Sequence, residues 1–112
     1  MIVVQNRIPI AKGWEAEFEK RFTNRAWALS RLPGFVRNEV LRPAEGSDAP
    51  YIVRTYWETM AAFEAWTKSD EFRAAHANTP PKEAFSGPSK LEIHEVFSVH
   101  ERPAADERLP AL

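Results

Sequence analysis

His76 is the candidate metal ligand of this sequence, since a neutral imidazole binds iron and other transition metals. It closes a short helical pattern and is followed by a Pro-rich stretch that leaves room for the edge of a ligand. The plainer alternative is a surface histidine at a helix C-terminus, where its cation is favourable. His94 falls inside a strand pattern and His100 at the start of the tail, so both are weaker candidates. Asn6 is the second residue of interest. It shares a strand face with Ile2, Val4, Ile8 and Ile10, and an amide there costs desolvation unless its hydrogen bonds are met. Either neighbouring backbone satisfies it, or it aims a polar group into a pocket. Trp66 is the third. Like Trp14, Trp27 and Trp57 it reads first as a core residue; what distinguishes it is a place just before a break in the helical pattern.

These side chains meet only if the chain bends. A continuous helix would hold Trp66 and His76 about 15 Å apart along its axis, at ~1.5 Å per residue. Ser69-Asp70-Glu71 reads as a fresh N-cap with an acidic first turn. A break near Lys68 is therefore expected, with a short helix from about Asp70 to His76. Both side chains can then face one cavity, and Asn6 can complete it from the first strand.

The remaining elements follow from periodicity. Ile2 to Ile10 alternates as a strand. Trp14, Phe18, Phe22, Ala26 and Leu29 form one stripe and predict a helix from Trp14 to Leu29. Leu32-Pro33-Gly34 is a turn. Phe35 to Arg42 and Tyr51 to Trp57 are strands separated by a polar loop, and a second helical region opens at Thr59 with Met60, Phe63 and Trp66. Asn78 to Lys90 is a loop and Leu91 to Val99 the last strand. Residues 1–100 form one domain and residues 101–112 a tail. The order βαβ–βαβ predicts an α+β, ferredoxin-like split βαβ fold: a four-stranded antiparallel sheet with both helices on one face. Apolar residues are expected on both sheet faces. Helices cover only one, so a homodimer with sheets packed face to face is expected.

Composition narrows the chemistry. With 112 residues and a formal net charge of −1, the chain lacks the basic surface of a nucleic-acid binder. It contains no cysteine, so thiolate ligands, cysteine nucleophiles and disulfides are excluded. No run reaches the ~20 apolar residues of a membrane span, and no leader pattern opens the chain. A cytoplasmic protein without membrane contact is expected.

Asn6, Trp66 and His76, ten residues after that Trp, resemble the Asn, Trp and His triad of IsdG-type haem-degrading monooxygenases. These belong to the antibiotic biosynthesis monooxygenase superfamily of dimeric α+β barrels. The Leu32-Pro33-Gly34-Phe35 turn is also typical of that superfamily, and the resemblance covers about residues 1–100. It implies His76 as proximal iron ligand, Asn6 as hydrogen-bond donor to a distal iron-bound ligand, and Trp66 as the side chain that presses on the porphyrin and favours ruffling. It implies Phe22 as a pocket residue and Arg25 as partner of a haem propionate. Haem would be both substrate and cofactor, with O2 and electrons from an external reductase or small reductant. Two other readings share the chain's features. One is a cofactor-free, quinol-type monooxygenase of the same superfamily, which leaves His76 without a role as ligand. The other is a non-catalytic haem-binding protein, which gives no reason for Asn6 and Trp66 to occur together.

Overall fold

Alternating apolar residues draw four segments into strands in the computed structural model, which describes residues 1–23, 29–77 and 79–104. These are β1 (Ile2–Ile8), β2 (Phe35–Leu41), β3 (Tyr51–Trp57) and β4 (Lys90–Glu95). They form one antiparallel sheet in the order β2-β3-β1-β4. The α-helices are α1 (Glu15–Lys20), α2 (Met60–Thr67) and α3 (Asp70–His76), and a single 3-10 turn spans Lys82–Ala84 among the described residues. This is the expected α+β, ferredoxin-like arrangement.

Register decides which residues face the helices, because directly paired residues share a face. Val4 pairs with Thr55 and Ile93, and Asn6 with Val53 and Leu91. That face carries the core, in two clusters. Val4, Trp57 and Phe63 form one, with Phe35 and Trp66 against it. Ile8, Phe18 and Tyr51 form the other, with Phe22 and Phe85 against it. Trp57 is 0 % exposed, and its indole N–H donates to the Thr55 hydroxyl at 3.0 Å, which removes the cost of burying that donor.

Three element ends differ from expectation. β1 stops at Ile8 because Pro9 has no N–H to give; Ile10 rejoins only through an isolated bridge to Phe85. α1 ends at Lys20, and the expected helix is interrupted after it, although Leu29, its expected last residue, is again helical. Just beyond Lys20 the amides of Phe22 and Thr23 bond three residues back, and the Thr23 hydroxyl also donates to the Lys20 carbonyl, tightening the chain into a turn. Residues 24–28 of the expected helix, including Trp27, lie outside the described residues. β4 stops at Glu95 rather than Val99, because its partner ends: Glu95 pairs with Ile2, and the Val96 amide takes the Met1 carbonyl.

The helix-free sheet face is not the apolar surface expected. It holds Val3, Leu41 and Ile52 among Gln5, Arg7, Glu39, Arg54, Tyr56 and Glu92. Arg54 donates to Gln5 at 2.7 and 2.9 Å, Tyr56 donates to Glu39 at 2.9 Å, and Arg37 lies over the Tyr56 ring. Exposed apolar side chains gather instead along β4 and the segment after it: Leu91, Ile93, Phe97 and Val99. Among the described residues no helix is long and apolar enough to cross a membrane.

Candidate functional site

The helix-side face of the sheet does not close completely. A cavity of about 740 Å³ remains between it and the helices, and Asn6, Phe22, Trp66 and His76 all line it. The volume lies within the ~300–1,000 Å³ typical of small-molecule sites. The four residues come from β1, the turn after α1, and the α2–α3 pair. Arg25 lies outside the described residues.

The joint between α2 and α3 is what turns Trp66 and His76 toward one space. The Thr59 hydroxyl caps α2 by accepting from the Ala62 amide at 3.1 Å. At the far end the amides of Lys68 and Ser69 bond three residues back, to Ala65 and Trp66. Ser69 then works in both directions: its hydroxyl donates to the Trp66 carbonyl at 2.6 Å and accepts from the Phe72 amide at 3.1 Å. It ends α2 and caps α3 together, as the acidic Ser-Asp-Glu pattern suggests. The preceding turn fits closely on α2. Gly34 has φ +79°, and a Cβ there would lie 2.5 Å from that of Ala62, so glycine is required for both conformation and space.

His76 is exposed at the cavity mouth, and its Nδ1 lies 2.8 Å from the Phe72 carbonyl oxygen. A carbonyl can only accept, so Nδ1 carries the hydrogen. In the neutral ring the lone pair is then on Nε2, the atom free to bind a metal. The imidazole also packs on the Phe72 ring, centroids 4.0 Å apart and planes 31° from parallel.

Trp66 is backed by aromatic rings. It stacks on Trp57 at 5.3 Å and 28°, and meets Phe72 edge to face at 5.0 Å. Its Nε1 is buried without a hydrogen-bond partner, and so is Asn6 Oδ1. One unmet donor, Trp66 Nε1, and one unmet acceptor, Asn6 Oδ1, therefore belong to residues that line the same cavity. Each is a polar atom that a water or a ligand in the cavity can meet.

The opposite wall is α1 and its following turn. Arg21 and Phe22 line the cavity from here, and Arg21 is the one cationic side chain among its described lining residues. Glu19 fixes this wall from behind. Its carboxylate accepts from Arg42 and from the Tyr51 hydroxyl, the latter at 2.5 Å. The Arg42 and Tyr51 hydrogen bonds hold the Glu19 carboxyl down at about 2. Burial, then the bond to Glu19, pushes Tyr51 up to about 12.

The antibiotic biosynthesis monooxygenase family profile matches residues 1–78. The chain belongs to that family. Within the antibiotic biosynthesis monooxygenases its relatives include the heme oxygenase (mycobilin-producing) of Mycobacterium tuberculosis, 39 % identical over 88 % of this chain and 91 % of that one. A heme oxygenase (staphylobilin-producing) of Staphylococcus haemolyticus is 42 % identical, covering 79 % and 85 %. Among solved structures, the heme-degrader MhuD of Mycobacterium tuberculosis with two hemes in its active site aligns with a TM-score of 0.73. Identity there is 36 %, over 90 % of this chain and all of that one.

The family fold thus brings together Asn6, Phe22, Trp66 and His76. It also places Arg21, Asn38 and Phe72 on the cavity, which the sequence reading missed. Phe72 could have been found, since it stands four residues before His76, the spacing that stacks side chains on a helix. Asn38 had no such signal, because its place opposite Thr55 follows from a register shift between Phe35 and Arg37.

Proposed function

We propose that this chain is a haem-degrading monooxygenase that ligates haem through His76 and opens the porphyrin with O2 and electrons from an external donor, releasing iron. The observation that carries the reading is the convergence of Asn6, Trp66 and His76 on one cavity, with the His76 Nε2 lone pair free. The relatives named as heme oxygenases, and MhuD with hemes in its active site, support the same substrate.

The residues fit that substrate. His76 would hold the iron of a macrocycle through Nε2, and haem so held would supply the oxygen chemistry. The apolar wall of Trp66, Phe22 and Phe72 receives the ring, and Arg21 can pair a propionate from the α1 side. Asn6 presents its amide to the oxygen side, where an N–H stabilises developing negative charge. Trp66, held by Trp57 and Phe72, would lie against the porphyrin and bear on it. The working unit is a cytoplasmic homodimer, favoured by the apolar row Leu91, Ile93, Phe97 and Val99. Phe97 is 100 % exposed in the single chain, a surface that costs solubility unless covered.

Hemin titration tests the reading. The expected result is a shifted Soret band that saturates at one or two haems per chain and bleaches under reductant and O2 with catalase present. His76→Ala should change the spectrum of the ferric complex. An unchanged spectrum in that variant would remove His76 as ligand. Sedimentation should give a dimer at micromolar concentration; a monomer would contradict the assembly.

A further inference from the structure

Phe72 touches both Trp66 and His76. Its carbonyl accepts the His76 Nδ1 hydrogen at 2.8 Å. Its ring packs on the imidazole with centroids 4.0 Å apart, and Trp66 meets that ring edge to face at 5.0 Å. Its amide is held by the Ser69 hydroxyl. His76 and Trp66 themselves stand 6.4 Å apart, centroid to centroid, so Phe72 is the closer neighbour of each.

An imidazole on an exposed helix end turns about its Cβ–Cγ bond unless something holds its plane. The carbonyl fixes which nitrogen is free but constrains rotation only through one bond. A flat ring packed against the imidazole face supplies the second constraint. We infer that Phe72 is the positioning residue for His76: its carbonyl selects Nε2 as the free nitrogen, and its ring sets the direction in which that nitrogen points. This rests on the reading of His76 as iron ligand. The Trp66 contact adds a consequence. Trp66 and His76 bear on the same porphyrin, and Phe72 keeps the angle between them.

The test compares Phe72→Leu, which keeps bulk without a flat face, with Phe72→Tyr, which keeps the face. In haem-free protein, NMR should find the His76 ring protons shifted by the Phe72 ring current; that shift should vanish in Phe72→Leu and persist in Phe72→Tyr. Loss of a ring pair corresponds to about a three- to tenfold fall in hemin affinity for Phe72→Leu. Its ferric electron paramagnetic resonance signal should also broaden, and Phe72→Tyr should restore both. Melting curves run alongside, and Phe72→Met replaces Phe72→Leu if the latter fails to fold. Wild-type ring shifts and affinity in the folded aliphatic variant, beside an altered His76→Ala spectrum, would overturn the role of Phe72 alone. An unaltered His76→Ala spectrum would overturn the ligand assignment instead.

Discussion

Behind Trp66 the cavity wall is a layered aromatic stack; behind Phe22 it is a six-residue helix tied down by a carboxylate. The first wall reaches the sheet through Trp57, which is 0 % exposed, and nothing in it carries charge. The second is held through Glu19, Arg42 and Tyr51, groups that titrate. The difference follows from what each side has to do. A side chain that bears on a rigid ring face needs backing that does not yield, and close packing provides it. A wall that receives the rest of a ligand can be held by directional bonds at the surface.

The largest expected effect comes from breaking the aromatic wall. Trp57→Ala should cost about 3–5 kcal/mol of stability, read from denaturant unfolding of the haem-free protein. In folded, haem-loaded protein it should also slow single-turnover loss of the Soret band, as Trp66→Ala should, because Trp57 is the ring stacked behind Trp66. A stable Trp57→Ala protein that bleaches haem at the wild-type rate would show that the stack is not what holds Trp66.

A smaller effect separates packing from aim. Thr59→Ala and Ser69→Ala each remove one helix cap and should each cost about 0.5–2 kcal/mol. Only Ser69→Ala should also weaken hemin affinity, because Ser69 links Trp66 to α3 whereas Thr59 sits at the remote end of α2. Equal affinities in the two variants would remove the joint from the account.

The other wall should respond to pH. Glu19 in the fold titrates at about 2, below its ordinary 4.5, so its contribution is present above pH 4.5 and lost as pH falls toward 2. Tyr51 titrates at about 12, above its ordinary 10, so its contribution is present below pH 10 and lost as pH rises toward 12. Tyr51→Phe should flatten the alkaline arm of the stability profile and shift the acid arm upward in pH. A profile identical to wild type would mean that the Tyr51–Glu19 bond does not help to anchor α1.

The same two walls differ in how much of them the sequence discloses. β3, the break near Lys68 and the helix Asp70–His76 are legible because their signals are local: alternation, an N-cap serine and an acidic first turn. Trp66 just before the break and His76 after it are legible with them, and so is Asn6, which stands out as an amide in an apolar face. The α1 wall is not. An apolar stripe running to Leu29 hides the turn made at Thr23, where a side-chain hydroxyl competes for the Lys20 carbonyl. The Glu19–Arg42–Tyr51 tie joins residues more than twenty positions apart, which no local pattern encodes. The polar helix-free face was equally hidden, since Gln5, Glu39 and Arg54 meet only through strand register.

The central claim is that Asn6 and Trp66 act on bound haem while His76 holds it. The direct test is single-turnover loss of the Soret band under reductant and O2 in haem-loaded Asn6→Ala and Trp66→Ala, run beside melting curves. Both variants should keep the His76-ligated spectrum. A lost hydrogen bond to a charged group is worth roughly 1.5–3 kcal/mol, so Asn6→Ala should slow by about one to two orders of magnitude. Wild-type rates in both folded, haem-loaded variants would contradict the proposed site.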